Sequence, residues 1–389
     1  MKLLHTSDWH IGRQFHNVSL LEDQQHVLQQ ILKIAETETV DAVLIAGDIY
    51  DRSVPPALAV KLLDDVLHTL CKDLAIPVLL ISGNHDGAER LAFGSRQLQA
   101  SGLHIIGSID AEPKPVVLQD QFGEVAFYGI PYLEPNQARQ VFGADVSSHD
   151  DALQAIVNAI TDSEASLTKG TTRRTVVLSH CFIDGGEESE SERPLSVGGA
   201  DRVSQRHFLP FNYTALGHLH APQYKGAEHI RYSGSILKYS FSEERQKKSV
   251  TLVEMNAKGD CEIEKIPLKP LREMRSIEGK LEDILEQGKT DPQAEDYLLI
   301  RLQDKAAILD VMGKLRQVYP NVLHLERPGL MTEASSHTAS RERLNKGEMN
   351  LFEDFYQQVC DEPLSAEQKT LMEKVINAAR KGKDLAEVE

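Results

Sequence analysis

Apolar runs that stop at a polar side chain set the rhythm of the first half of the chain. Lys2-Leu3-Leu4-His5-Thr6-Ser7 runs into Asp8-Trp9-His10, Val43-Leu44-Ile45-Ala46 into Gly47-Asp48, and Val78-Leu79-Leu80-Ile81-Ser82 into Gly83-Asn84-His85-Asp86. Thr175-Val176-Val177-Leu178-Ser179 then ends at His180, and Tyr213-Thr214-Ala215-Leu216 at Gly217-His218-Leu219-His220. Runs this short, apolar and β-branched predict strands buried on both faces, as in a parallel sheet. A lone Gly-Asp pair reads as a turn closing a strand. Five endings that each deliver Asp, Asn or His just past a strand's carboxyl end read as one site, because that edge is where open α/β sheets hold ligands.

Between the runs the period changes from two to 3.6. Leu20, Leu21, Gln24, Val27, Leu28, Ile31, Leu32 and Ala35 predict a first helix, and Leu58 to Leu70 and Leu91 to Leu98 predict two more. Strand and helix alternating in this way build a largely parallel sheet with helices on its faces. Shorter strands are predicted at His104 to Ile106, Val116 to Leu118 and Val125 to Ile130. Strand readings at 228–233, 249–255 and 261–267 follow without helices, which predicts a second, antiparallel-rich sheet packed on the first. The expected architecture is α/β, a layered β-sandwich flanked by helices over residues 1–266.

Pro267 and Pro270 end that block. A helix from Leu281 to Leu285, a strand from Tyr297 to Leu302, a helix from Ile308 to Leu315 and a strand from Asn321 to Glu326 predict a small α/β domain over 267–328. Residues 329–348 are polar and aperiodic and read as a linker. Beyond it, over 349–389, Leu351, Phe352, Phe355, Tyr356 and Val359 form one apolar stripe, and Leu371, Met372, Val375, Ile376 and Ala379 another, the latter opened by a Ser365/Gln368 capping box. Two short tethered helices cannot bury such faces alone, so they either dock back on the body or fit a partner's groove, the partner being the favoured expectation.

The net charge of −17 over 389 residues argues against indiscriminate nucleic-acid binding and leaves room for a locally basic or cation-loaded groove. The basic set Lys265, Lys269, Arg272, Arg275 and Lys280 reads as a solvated face with phosphate contact as the lesser reading, and the acidic run Glu187, Glu188, Glu190 and Glu192 as a solvated loop. Four scattered cysteines form no C-x-x-C pair, which fits a reducing compartment, and Cys181 beside His180 reads as a buried small residue rather than a nucleophile. With no signal peptide or membrane-spanning run to read, the expected location is the cytoplasm, on the nucleoid when DNA is bound.

Asp8, His10, Asp48, Asn84, His180, His218 and His220 exceed the ligand number of a single ion and suit two divalent metals sharing a carboxylate, with Asp48 the natural bridge. Asp8, His10, Asp48 and His220 are expected to hold one metal, and Asp48, Asn84, His180 and His218 the other. Paired dications acidify a water and absorb charge on a phosphoryl oxygen, so phosphate-ester hydrolysis is the expected chemistry. His85, with Asp86 beside it, is the candidate catalytic pair for polarising phosphate and protonating the leaving oxygen, and Asp51 is expected to hold a ligand in place.

D-x-H, G-D-x-x-D, G-N-H-D, a lone His and G-H-x-H, in that order, resemble the calcineurin-like metallophosphoesterase superfamily. His5 to Gly12, Glu192-Arg193-Pro194-Leu195-Ser196-Val197-Gly198-Gly199, Ala215 to Gln223, Arg231 to Ser235 and Ser240 to Glu243 resemble more narrowly the SbcD family of double-strand-break-repair nuclease subunits. That resemblance implies a Mn2+-dependent nuclease of DNA repair, replication and recombination, exonucleolytic on double-strand ends and endonucleolytic on single strands and hairpins. It also implies a small domain that caps DNA access, a tail at 349–389 gripping an SbcC-like coiled-coil ATPase that gates cutting by ATP hydrolysis, and a homodimer within a heterotetramer. No G-x-x-x-x-G-K-[ST] pattern occurs in the chain, in keeping with a separate ATPase. The alternatives are a phosphoesterase for nucleotides or phosphoproteins, and an inactive scaffold of the same fold.

Overall fold

The computed structural model describes residues 1–143, 146–169, 172–192, 201–304, 306, 308–328, 349, 352–353, 356 and 363–380, with the backbone alone at 377–380. Arg193 to Gly199, the expected linker, Cys360 and most of the first tail stripe lie outside the described residues. The chain divides into two compact units, Met1–Leu271 and Arg272–Glu389.

Two six-stranded sheets make up the first unit. One runs in the order Cys261–Pro267, Ser249–Met255, Lys2–Thr6, Ala42–Ala46, Val78–Ile81, Leu103–Ile106, its last four strands parallel. The other runs Gln223–Lys225, Ala227–Tyr232, Tyr213–Gly217, Arg174–His180, Gly123–Ile130, Val116–Asp120, its middle four strands parallel. Leu3, Leu44, Leu79 and Ile81 of the first sheet share one fully buried cluster with Phe127, Val176, Leu178 and Ala215 of the second, so the sheets pack face to face. The intervening residues Val43, Ile45 and Leu80 point the other way and are also fully buried, as a strand covered on both faces requires. The helix Leu21–Thr37 buries Val27, Leu28, Ile31 and Ala35 along the predicted stripe. The helix His149–Thr168 packs Leu153, Ile156, Val157 and Ile160 on the outer face of the second sheet. That helix opens on a Ser148/Asp151 capping box and escaped the sequence reading.

Two expectations are corrected. The strands after residue 227 do not form a sheet of their own: Ala227–Tyr232 pairs parallel with Tyr213–Gly217, whereas Ser249–Met255 and Cys261–Pro267 cross back to extend the first sheet beside Lys2–Thr6. Hydrophobic pattern identifies a strand but not its neighbour. The helix predicted from Leu91 to Leu98 is instead two single turns, Ala88–Leu91 and Ser95–Leu98, because Gly94 between them takes a left-handed φ of 76°.

In the second unit a three-stranded parallel sheet, Met274–Gly279, Tyr297–Leu302 and Val322–Glu326, packs on the helices Leu281–Gly288 and Val311–Arg316 through Ile284, Leu298, Ile300 and Leu315. Arg275, read as part of a basic approach, is paired with Asp291 and Asp296. The helix Ala366–Arg380 starts at the predicted Ser365/Gln368 box. No described helix is long and apolar enough to cross a membrane.

At the end of the sandwich away from the strands' carboxyl edge, Arg174 grips both carboxylate oxygens of Asp120 at 2.5 and 2.9 Å and donates to Gly123 O. The guanidinium holds the Asp120 carboxyl well below the usual range, so its stabilisation is complete above the unfolded value near pH 4 and is lost as pH falls further. Asp120→Asn, which leaves a nearly buried guanidinium without its counter-charge, is expected to cost about 3 kcal/mol near neutral pH. Melting temperatures against pH test this: the gap between the two proteins should be constant above about pH 5 and narrow below about pH 4.

Candidate metal centre

Asp8 and His10 follow Lys2–Thr6, Asp48 follows Ala42–Ala46 and Asn84 follows Val78–Ile81, all on one sheet; His180 ends Arg174–His180, and His218 and His220 follow Tyr213–Gly217 on the other. The seven side chains come together across the carboxyl edges of the two sheets. Asp8, His10, Asp48 and His218 adopt left-handed φ values of 51°, 45°, 50° and 106°. Strain of this kind at non-glycine residues costs of order 1–3 kcal/mol each and persists only where surrounding contacts over-determine it. Here they do: Asp8 N donates to Gly47 O and His10 N to Asp48 O, the Gln24 side chain bonds Gly12 N and the Trp9 and His10 carbonyls, and Tyr239 OH donates to Trp9 O.

Donor atoms converge at the spacing a small cation imposes. Two ligands on one ion at a little over 2 Å sit about 3 Å apart. His10 Nε2 lies 3.1 Å from His220 Nε2, and Asn84 Oδ1 lies 2.9 Å from His180 Nε2 and 3.2 Å from His218 Nδ1. Asp48 Oδ2 reaches both groups, 3.7 Å from His10 Nε2 and 3.4 Å from His180 Nε2. Its Oδ1 faces away and accepts the His85 amide at 2.9 Å. Asp8 closes one cluster with His10 and His220 and another with Asp48 and His180.

The protons decide what such a cluster wants. His180 Nδ1 sits 2.9 Å from Ala46 O, which can only accept, so the ring proton is there and Nε2 offers a lone pair. That lone pair faces the oxygens of Asn84 and Asp48 with nothing between to share. Either the ring takes a second proton or a cation takes its place. Burial resists the charge on His180, but Asp48 overcomes it and lifts the ring to about 9. Burial also pushes Asp8 up to about 6 against the pull of His180 and His220, and lowers His218 to about 3, with His180 adding to the effect. Buried His10 Nδ1 and Asn84 Nδ2 have no hydrogen-bond partner. The residues therefore fit a divalent metal site.

Two glycines make the convergence possible. A Cβ on Gly83 would lie 2.2 Å from Asp48 Oδ1, and one on Gly217 would lie 1.9 Å from Ala46 O. Neither backbone carbonyl nor ligand carboxylate can give that much.

His85 stands beside this cluster, its ring 4.7 Å from that of His10 and edge-on to it. The expected His85/Asp86 pairing is corrected. His85 Nδ1 bonds Asp51 O at 2.9 Å, while Asp86 accepts from the amides of Ile49, Tyr50 and Gly83 at 3.1, 2.9 and 2.9 Å. Asp86 thus ties the loops after Asp48 and before Asn84 together and makes no hydrogen bond to the His85 ring. The Asp51 carboxylate lies 3.8 Å from His10 Nδ1 and 3.2 Å from Arg13, beside the cluster as expected. Burial raises the Cys181 thiol to about 12, which makes it inert.

The sequence reading missed the groups behind the ligands. Ser191 bonds the His220 ring and Glu192 accepts the His220 amide, although their stretch reads as a solvated loop. Gln24 carried a signal, being polar at a position where the helical repeat calls for an apolar residue.

Comparison with known proteins agrees with this geometry. Residues 1–222 match the family described as calcineurin-like phosphoesterase, and residues 270–359 the SbcD C-terminal family, described as type 5 capsule protein repressor C-terminal domain. The SbcD component of the nuclease SbcCD of Staphylococcus saprophyticus subsp. saprophyticus is 34% identical over 97% of this chain and 98% of its own. That of Staphylococcus epidermidis is 34% identical over 94% and 95%. Among solved structures, GAP50, the anchor in the inner membrane complex of Plasmodium, aligns with a TM-score of 0.39 and 13% identity over 69% of this chain and 89% of that one. With both halves matched and its relatives aligned nearly end to end, the chain belongs to the SbcD family of calcineurin-like metallophosphoesterases.

Proposed function

We propose that this metal-dependent phosphodiesterase is the nuclease subunit of an SbcC–SbcD-like complex, cutting DNA as a double-strand exonuclease and a single-strand and hairpin endonuclease in repair, replication and recombination. The observation that carries the reading is the meeting of two donor groups at Asp48 Oδ2. Asp8, His10, Asp48 and His220 hold one divalent ion and Asp48, Asn84, His180 and His218 the other, Mn2+ being the metal we assign. Bound there, the pair supplies an acidified water and a sink for phosphoryl charge. The protein's own part is positional and acid–base. Nδ1–H of His85 is spent on Asp51 O, so Nε2 acts as an acid only in the doubly protonated ring, which would stabilise the phosphate and give that second proton to the leaving sugar oxygen. Asp86 serves by fixing the loop that carries Asn84 and His85.

The cap, linker and tail boundaries at 267–328, 329–348 and 349–389 belong to the same proposal, the cap shaping DNA access. The helix Ala366–Arg380 leaves Leu371 58% exposed, which suits docking to the coiled coil of an SbcC-like ATPase whose ATP hydrolysis gates DNA entry. Self-pairing within a heterotetramer belongs to the same proposal, and the exposed apolar side chains Val60 and Phe93, 45% and 87% exposed, line one groove that could take part in it. We place the complex in the cytoplasm, on the nucleoid when bound to DNA.

Metal analysis and DNA cleavage test the site together. Asp48→Ala should lose both ions and all hydrolysis, and two ions retained per chain would contradict the bridge. His85→Gln should keep both ions and lose about 10²–10⁴ in kcat; unchanged turnover removes its catalytic role. Hydrolysis of linear duplex DNA and bis(p-nitrophenyl) phosphate is expected, whereas activity on phosphomonoesters alone would favour a nucleotide or phosphoprotein phosphatase. Deleting residues 349–389 should abolish copurification with a coiled-coil ATPase, and undiminished recovery of the ATPase would move the docking surface elsewhere.

A further inference from the structure

Behind the ligand face of His220 lies a buried chain of polar groups. Ser191 Oγ is 2.5 Å from His220 Nδ1 and is also hydrogen-bonded to Glu243 Oε1. The Glu243 side chain is 0% exposed and that of its ion-pair partner Lys248 4%. The Lys248 ammonium donates onward to His220 O at 2.9 Å and Ser235 Oγ at 2.8 Å. The pair therefore holds both the ring of His220, through Ser191, and its main chain.

The protons along this chain have one consistent arrangement. An ionised Glu243 can only accept, so the single hydroxyl proton of Ser191 goes to it. Ser191 then has only lone pairs for the imidazole, so His220 must carry its proton on Nδ1. Nε2 is left bare, and it is the atom that faces His10 across 3.1 Å. We infer that Ser191, Glu243 and Lys248 are positioning residues that lock His220 in the Nδ1–H tautomer and in the orientation that aims Nε2 at a divalent cation. This rests on the reading of His220 as a metal ligand.

A purely stabilising role accounts for these residues less well. Burying two opposite charges costs several kcal/mol per ion in desolvation, and an apolar pair of equal volume is often as stable or more so. What an apolar pair cannot do is dictate a proton position on a neighbouring ring. Glu192 works alongside: its Oε1 accepts His220 N at 2.8 Å, and its Oε2 accepts the Ser189 amide and hydroxyl, fastening the strap that presents Ser191.

The test is Mn2+ titration of the full chain by calorimetry, with bound metal counted after gel filtration, on wild type, Ser191→Ala, Glu243→Gln and His220→Ala. In Ser191→Ala one of the two ions should bind about 10–100-fold more weakly and the other as before. The kcat should recover at saturating Mn2+, which a loss of stability alone would not produce. Glu243→Gln should weaken the same ion, because an amide can donate to Ser191 and free the hydroxyl proton to point at Nδ1; if this variant does not fold, Ser191→Ala decides alone. Should both ions bind Ser191→Ala as tightly as wild type while His220→Ala loses one, the positioning role is overturned and the ligand reading stands. Should His220→Ala keep both, the ligand reading fails and this inference falls with it.

Discussion

Lone pairs meeting lone pairs are the constraint around which the Met1–Leu271 unit is built. His180 Nε2 faces Asn84 Oδ1 at 2.9 Å and Asp48 Oδ2 at 3.4 Å, and His10 and His220 approach nitrogen to nitrogen at 3.1 Å. In an apolar interior such a cluster repels itself unless positive charge enters it. Asp8, His10, Asp48 and His218 meet there with strained backbones, so the loops have little freedom to relax the repulsion by turning a side chain away. The fold supplies the opposing force: fully buried strands on both sheets fix the loop stems, and Gln24, Tyr239 and Asp86 tie the loops to their neighbours.

The two sheets contribute unequally to the chemistry. The first brings the carboxylates and the amide of the candidate set, Asp8, Asp48 and Asn84, together with one imidazole, His10. The second contributes imidazoles alone, His180, His218 and His220, each ring held from behind or through its main chain: His180 by Ala46 O, His220 by Ser191, and the His218 amide by Asp8. Both carboxylates thus enter from one sheet, and three of the four imidazoles meet them from the other.

Most of this was legible because strand ends and candidate ligands coincide in the sequence. The apolar runs stop at Asp8, Asp48, Asn84, His180 and His218, and the structure brings those residues together. What pattern could not show was who lies beside whom. The strands Ser249–Met255 and Cys261–Pro267 carry the same alternation whichever sheet they join, and only the open edge of Lys2–Thr6 decides it. His85 and Asp86 look like partners because they are adjacent, yet adjacent side chains diverge, and each bonds the loop after Asp48 on its own, His85 at Asp51 O and Asp86 at the Ile49 and Tyr50 amides. Glu243 and Lys248 look like surface charges in a polar stretch, and their burial depends on folding distant in sequence from the ring they serve.

The sandwich is fastened differently at its two ends. Arg174 and Asp120 clamp one end with groups that are part of the chain, whereas at the other the side chains that face each other across the sheets need an exchangeable ion to be reconciled. A divalent ion bound there would stabilise the folded state by mass action, and the edge on which the strand ends present their loops would stiffen as the site fills.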